Sequence, residues 1–205
     1  MKIGIFGGTF NPPHIGHINA CKCFNEYFDF DKLYVIPVYS PPHKDLKTFV
    51  TAQNRLEMSK IAFEGLSDNI IVSDLEIKRK GRSYTADTIQ HFKELGYDDI
   101  YFLCGTDMIL TLGTWYKPEY IFDNATIVYM RRENDSDIEK LLLERIEEYK
   151  TKFGAKIEHI DAESIQISST DIRESVKNGA IESKFLTPEL LKYIIENNLY
   201  RNEQK

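Results

Sequence analysis

Short strand-like runs alternate with stretches of helical periodicity along most of this chain, and that alternation restricts its architecture more than any other feature. The strand-like runs are Lys2 to Phe6, Leu33 to Ile36, Ile70 to Ser73, Ile100 to Cys104, Thr126 to Met130 and Lys156 to Ile160. Between or after them, apolar residues recur at helical spacing over Ala52 to Phe63, Thr85 to Leu95, Asp137 to Tyr149 and Pro188 to Asn197. Strand and helix in repeated succession predict an α/β fold, Rossmann-like and doubly wound, with a mostly parallel sheet covered by helices on both faces.

Local chemistry marks several boundaries. Thr187 followed by Pro188 puts a capping hydroxyl and then a proline at the first helical position, before an apolar periodic stretch. Gly96 and Gly154 are expected to terminate the helices before them. Pro37, Pro41 and Pro42 exclude a helix over residues 37 to 47 and predict a long loop after the second strand. No repeat or shift in composition divides the 205 residues, and 42% hydrophobic content with 12 Tyr and 12 Phe is enough for one full core. One domain over residues 1–205 is expected, with a helical C-terminal part from about residue 168.

Bulk properties narrow the function classes. The apolar runs fall far short of the roughly 20 residues a membrane-spanning helix needs. The N-terminus reads directly into a strand, not a leader, so a cytoplasmic location is expected. Cys21, Cys23 and Cys104 are odd in number and sit in helix- or strand-like segments, which predicts core packing over disulfides or metal binding. A net charge of −6 argues against a nucleic-acid partner, so an anionic substrate must be held by a local cluster.

That cluster is sought where the first strand ends. After Phe6 come Gly7-Gly8-Thr9-Phe10-Asn11-Pro12-Pro13-His14-Ile15-Gly16-His17, and Ile18 to Phe24 looks helical. A strand, a glycine turn and a helix start together predict a phosphate site, because bare backbone N–H groups and the helix dipole both favour an anion. The glycine spacing is wrong for a dinucleotide fingerprint, and the Gly-Lys-Ser/Thr end of a P-loop is missing. His14 and His17 are three apart and so share a face of the first helical turn. Gly16 between them leaves room for a base or ribose against the helix backbone. A lone histidine at a helix start is more often a cap or surface residue. Two of them, flanked by glycines and Pro12-Pro13, read as a clamp for phosphoryl chemistry.

Residues Gly7 to His17 resemble the Gly-Gly-Thr-Phe-x-Pro-Pro-His-x-Gly-His signature of the nicotinate mononucleotide adenylyltransferases, within the His-x-Gly-His nucleotidyltransferase superfamily. The resemblance continues in that family's order through Pro41-Pro42-His43-Lys44, Gly81-Arg82-Ser83-Tyr84-Thr85-x-Asp87-Thr88, Gly105-Thr106-Asp107, Trp115-Tyr116 and Ile167-Ser168-Ser169-Thr170-x-Ile172-Arg173. It implies transfer of the AMP moiety of ATP to nicotinate mononucleotide, with Mg²⁺ accompanying ATP and no dedicated protein cage for the metal. Under it, His14, His17, Lys44 and Arg173 are the expected catalytic residues. ATP is expected against Gly7, Gly8, Thr9, Phe10, the two histidines, Gly105, Asp107, Ser168, Ser169, Thr170 and Arg173. The pyridine nucleotide falls to Asn11, His43, Lys44, Ser83, Tyr84, Thr85, Trp115 and Tyr116. Asn11 stands where the family often has Asp, which removes a negative charge but keeps an oxygen acceptor. Arg131 and Arg132 are further candidates to approach phosphate, while His91 and His159 are assigned to surface or packing roles.

Other readings stay open on the sequence. The acceptor could be nicotinamide mononucleotide or another phosphorylated molecule, and a silent nucleotide-binding module would carry many of the same residues. A tRNA synthetase fragment shares His-Ile-Gly-His but would need a Lys-Met-Ser-Lys-Ser segment that this chain lacks. Oligomeric state is not readable from these features.

Overall fold

The computed structural model describes residues 1–41, 50–130, 136–161, 165, 167–179 and 183–201. Within them lie six strands: β1 Lys2–Gly8, β2 Lys32–Pro37, β3 Ile70–Val72, β4 Asp99–Gly105, β5 Thr126–Met130 and β6 Ile157–Ile160. They form one parallel sheet in the order β3-β2-β1-β4-β5-β6, the doubly wound arrangement the alternation predicts. The larger helices are α1 Ile15–Phe28, α2 Ala52–Phe63, α4 Thr85–Glu94, α7 Ser136–Phe153, α8 Ser169–Lys177 and α9 Pro188–Glu196. Between them run the shorter α3 Leu75–Arg79, α5 Thr106–Ile109 and α6 Pro118–Asn124.

Alternation along β1 divides the interior in two. Ile3 and Ile5 face a core that includes Ile89 and Phe92 of α4, Phe122 of α6 and Ile146 of α7. Phe6 faces the opposite core, with Phe24 of α1, Phe63 of α2, Ile172 of α8 and Leu190 and Ile194 of α9. Helices α8 and α9 thus share the core on the Phe6 face of the sheet. Cys21 and Cys104 are buried, and desolvation raises both thiols, that of Cys21 to about 12. Both act as small hydrophobes.

The predicted helix ends are where the capping chemistry put them. Thr187 Oγ1 accepts from the Leu190 N–H at 3.3 Å and Pro188 opens α9. Gly96 and Gly154 follow their helices at φ 84° and 63°. α3 and α6 lie outside the predicted helices because five and seven residues are too few to display a helical period.

One expectation about the phosphate loop is corrected. Gly7 and Gly8 form no turn: parallel pairing continues through Gly7↔Ile36 and Gly8↔Pro37, so β1 runs two residues past Phe6. The left-handed residue is Phe10, at φ 46°. Gly8 is required for space instead, since a Cβ there would lie 2.6 Å from the Phe10 ring. Gly8→Ala must displace that ring or the strand, and is expected to cost about 1–3 kcal/mol in denaturant unfolding. An unchanged midpoint would contradict this packing.

Candidate active site

A cleft of about 800 Å³ opens at the C-terminal ends of β1 and β4, where the strand order reverses. Open α/β sheets bind ligands at such a switch point, and the volume lies within the range of small-molecule sites. Its lining gathers residues from five separate stretches: Gly7 to His17, Ser83 to Thr85, Gly105 to Asp107, Trp115 with Tyr116, and Ser168 to Arg173. Every predicted site residue that falls among the described ones is on this lining. His43 and Lys44, together with Arg131 and Arg132, lie outside the described residues.

At the centre of the cleft, His14 occupies the cap position of α1 in extended geometry, and its carbonyl accepts from the N–H groups of His17 (2.9 Å) and Ile18 (3.1 Å). The two imidazoles overlap with centroids 3.7 Å apart and planes 33° apart. Phe10 stands edge-on to His17 at 5.2 Å, fixing the second ring from behind. The space above Gly16 is partly taken by its own neighbours, because a Cβ there would lie 3.1 Å from the His14 ring and from the Ile165 carbonyl. The glycine is needed to let His14 fold over the helix start.

Beside this pair, α8 supplies a second helix start. Ser168 caps it by accepting from the Thr170 N–H at 3.0 Å. Ser169 Oγ donates to the Pro12 carbonyl at 2.9 Å, and Arg173 donates to the Asn11 carbonyl at 2.9 Å and to Thr170 Oγ1 at 3.1 Å. Two of five guanidinium N–H groups are accounted for by these bonds, so Arg173 braces the loop with donors to spare. Gly105 caps α5, and Asp107 stands exposed in its first turn on the cleft wall.

The far wall is built around a carboxylate that the sequence did not flag. Glu76 is buried, and its Oε1 accepts from Thr88 Oγ1 at 2.6 Å and lies 3.7 Å from Arg79. Ser83 Oγ accepts from the Tyr39 N–H at 2.9 Å and, more weakly, from that of Ser40. Its hydroxyl is therefore engaged in holding Tyr84 and Thr85 in place. Tyr84 lies tilted against Tyr116, with centroids 4.5 Å and planes 34° apart, and Trp115 packs edge-on against Phe102 while donating to Thr111 at 3.3 Å.

A second group missed in the sequence joins the two walls. Arg55 of α2 is almost fully buried and donates to the carbonyls of Thr9 (3.0 Å), Val38 (2.5 Å) and Tyr39 (2.9 Å). Burial lowers its pKa, with Tyr200 and Glu76 acting in the opposite direction. The signal was present, since Arg55 precedes Ser59 and Ala62 by one and two turns on the buried side of the helix.

Among the described residues, no group of three or more His, Cys, Asp or Glu side chains could hold a metal ion, and no helix is long and apolar enough to cross a membrane. His91 packs against Phe92, and His159 lies exposed beside Asp161.

The chain was compared with known proteins. A family model described as cytidylyltransferase-like matches residues 5–175. A Caldicellulosiruptor saccharolyticus protein named "Probable nicotinate-nucleotide adenylyltransferase" is 35% identical over 201 residues, 98% of this chain and 100% of its own length. The chain belongs to the nicotinate-nucleotide adenylyltransferase family. A Clostridium botulinum relative of the same name is 34% identical over 202 residues, covering 98% of this chain and 99% of its own. Among solved structures, a Plasmodium falciparum nicotinic acid mononucleotide adenylyltransferase complexed with NaAD superposes with a TM-score of 0.73. It covers 97% of each chain and, at 22% identity, its likeness is one of fold.

Burial is the largest influence on Glu76 and raises its pKa above 4.5, while the hydrogen bonds of Ser83 and Thr88 and the charge of Arg79 partly offset it. A carboxyl raised in the folded state gives its full stabilisation below its unfolded pKa and loses it as pH rises through the folded one. Glu76→Gln should therefore gain thermal stability relative to the parent as pH climbs from about 4 to 7. A stability difference independent of pH would contradict the assignment.

Proposed function

We propose that this protein is a nicotinate-nucleotide adenylyltransferase that transfers AMP from ATP to nicotinate mononucleotide, releasing pyrophosphate and forming the deamido dinucleotide. The observation that carries this reading is the overlapped His14–His17 pair, seated on a helix start in the same cleft as the Tyr84–Trp115 wall. Family membership supports the choice of both substrates.

In the proposed reaction a phosphate oxygen of the acceptor bonds to the α-phosphorus of ATP as the bond to the pyrophosphate oxygen breaks. The protein's part is to align two anions and to stabilise charge on the phosphoryl oxygens. The imidazoles of His14 and His17, backed by the N-terminal dipole of α1, suit the α-phosphate. The spare donors of Arg173 and the N–H groups at the start of α8 suit the β- and γ-phosphates. Asp107 and Gly105 line the adenosine side, and Lys44 and His43 are assigned to the phosphates by family resemblance alone. Trp115, Tyr116 and Tyr84 offer aromatic faces to the pyridine, with the Tyr84–Thr85 backbone toward its carboxylate. Mg²⁺ is taken to arrive on the triphosphate, whose oxygens suit a hard cation.

Pure protein supplied with ATP and Mg²⁺ should release pyrophosphate with nicotinate mononucleotide, and a parallel reaction with nicotinamide mononucleotide measures acceptor preference. Silence with both acceptors would sink the proposal. His17→Ala should lower kcat by roughly 100-fold, the scale of a lost charge-stabilising donor. An undiminished rate would remove His17 from the mechanism.

A further inference from the structure

The loop that carries the histidines is held from several directions at once. Its Thr9 carbonyl takes Arg55, its Asn11 carbonyl takes Arg173 and its Pro12 carbonyl takes Ser169. These bonds engage three electronegative oxygens beside the place where an anion must sit. The side chain of Asn11 is itself buried and is met from the other end of the chain. Tyr200 donates its phenol to Asn11 Oδ1 at 2.9 Å across 189 positions of sequence, while the Val50 N–H reaches the same oxygen only at 3.4 Å.

The last described residues are shaped to deliver that phenol. α9 ends in a turn in which Asn198 adopts φ 50°, Leu199 N–H bonds the Ile194 carbonyl and Asn198 N–H bonds the Ile195 carbonyl. This pattern reverses the chain and is met well by Asn. Leu199 then enters the core shared with α1 and α2. Tyr200 follows at φ 63°, a left-handed conformation that a bulky aromatic adopts only when its surroundings impose it. Its oxygen also approaches Met58 Sδ at 3.8 Å, and burial raises the phenol's pKa, so it remains a donor at any working pH.

We propose that Tyr200 is a positioning residue for catalysis, using its hydrogen bond to Asn11 to set the loop from which His14 and His17 meet the phosphates. Asn11 stands three residues before His14, and its side chain is the handle by which the C-terminal segment holds the loop. This places Asn11 as a structural link more than a direct ligand of either substrate. The activity readout rests on the adenylyl-transfer reading, and a parent protein that releases no pyrophosphate would defeat that reading before this proposal is tested.

The test is Tyr200→Phe, which keeps the ring and removes one bond. Misplacement of the histidines should lower kcat about tenfold and leave the KM for ATP within about threefold, with little change in melting temperature. Asn11→Ala should show a similar loss, and the double variant should be no worse than either single, since both break one interaction. Asn11→Asp, which keeps an acceptor for the phenol, should show the same proportional fall in kcat on Tyr200→Phe as the parent does. Parental kcat in Tyr200→Phe, or a double variant showing the product of the single losses, overturns the proposal. Should Asn11→Ala fail to fold, Tyr200→Phe with Asn11→Asp decides it.

Discussion

A buried guanidinium is the tie on which the cleft depends. Arg55 is among the largest fully buried side chains, and its described hydrogen-bond partners are three backbone carbonyls on two different loops. A cation removed from water needs hydrogen-bond partners, each worth about 1.5–3 kcal/mol to a charged group, and the two terminal nitrogens of Arg55 make three such bonds while its buried Nε makes none among the described residues. The same constraint that keeps Arg55 stable therefore fixes the Thr9 loop against the segment after β2. Its planar fork reaches three acceptors at once, which a lysine ammonium on a flexible stem would not reproduce. The two walls of the site are joined before any ligand arrives.

Around that tie, an acidic protein assembles a local patch suited to anions. Net charge is −6, yet the cleft collects the starts of α1 and α8, two overlapped imidazoles and Arg173. Glu76, Asp107 and Asp171 are the acidic residues of the described lining. Glu76 Oε1 is engaged by Thr88 and lies near Arg79, and Asp107 stands exposed in the first turn of α5 on the cleft lining. Charge is thus divided by position within one cleft, and the whole-chain balance says little about the ligand.

Much of this arrangement was legible in the sequence, and the parts that were not share a cause. The sheet follows from β-branched and aromatic runs in alternation with helical ones, and α2 begins and ends at the predicted residues. His14 and His17 could be placed on one face because a three-residue spacing has only one meaning at a helix start. The role of Gly8 was misread, since glycine signals a turn and a tight contact in the same letter, and only the position of the Phe10 ring separates them. Ser83 was legible as part of the wall but not as a tie to Tyr39 and Ser40. Arg55 carried a signal in its helical spacing to Ser59 and Ala62, but its partners are backbone carbonyls that no sequence pattern names, and the partner of Tyr200 is a side chain 189 residues away.

The central claim is that the two histidines stabilise a single direct displacement and never carry the adenylyl group themselves. Its most direct test is the stereochemistry of turnover with one diastereomer of ATP bearing sulfur on the α-phosphorus. One in-line attack by the acceptor phosphate predicts inverted configuration at that phosphorus in the dinucleotide product. Retained configuration would mean two successive displacements through an adenylylated side chain, and would contradict the account.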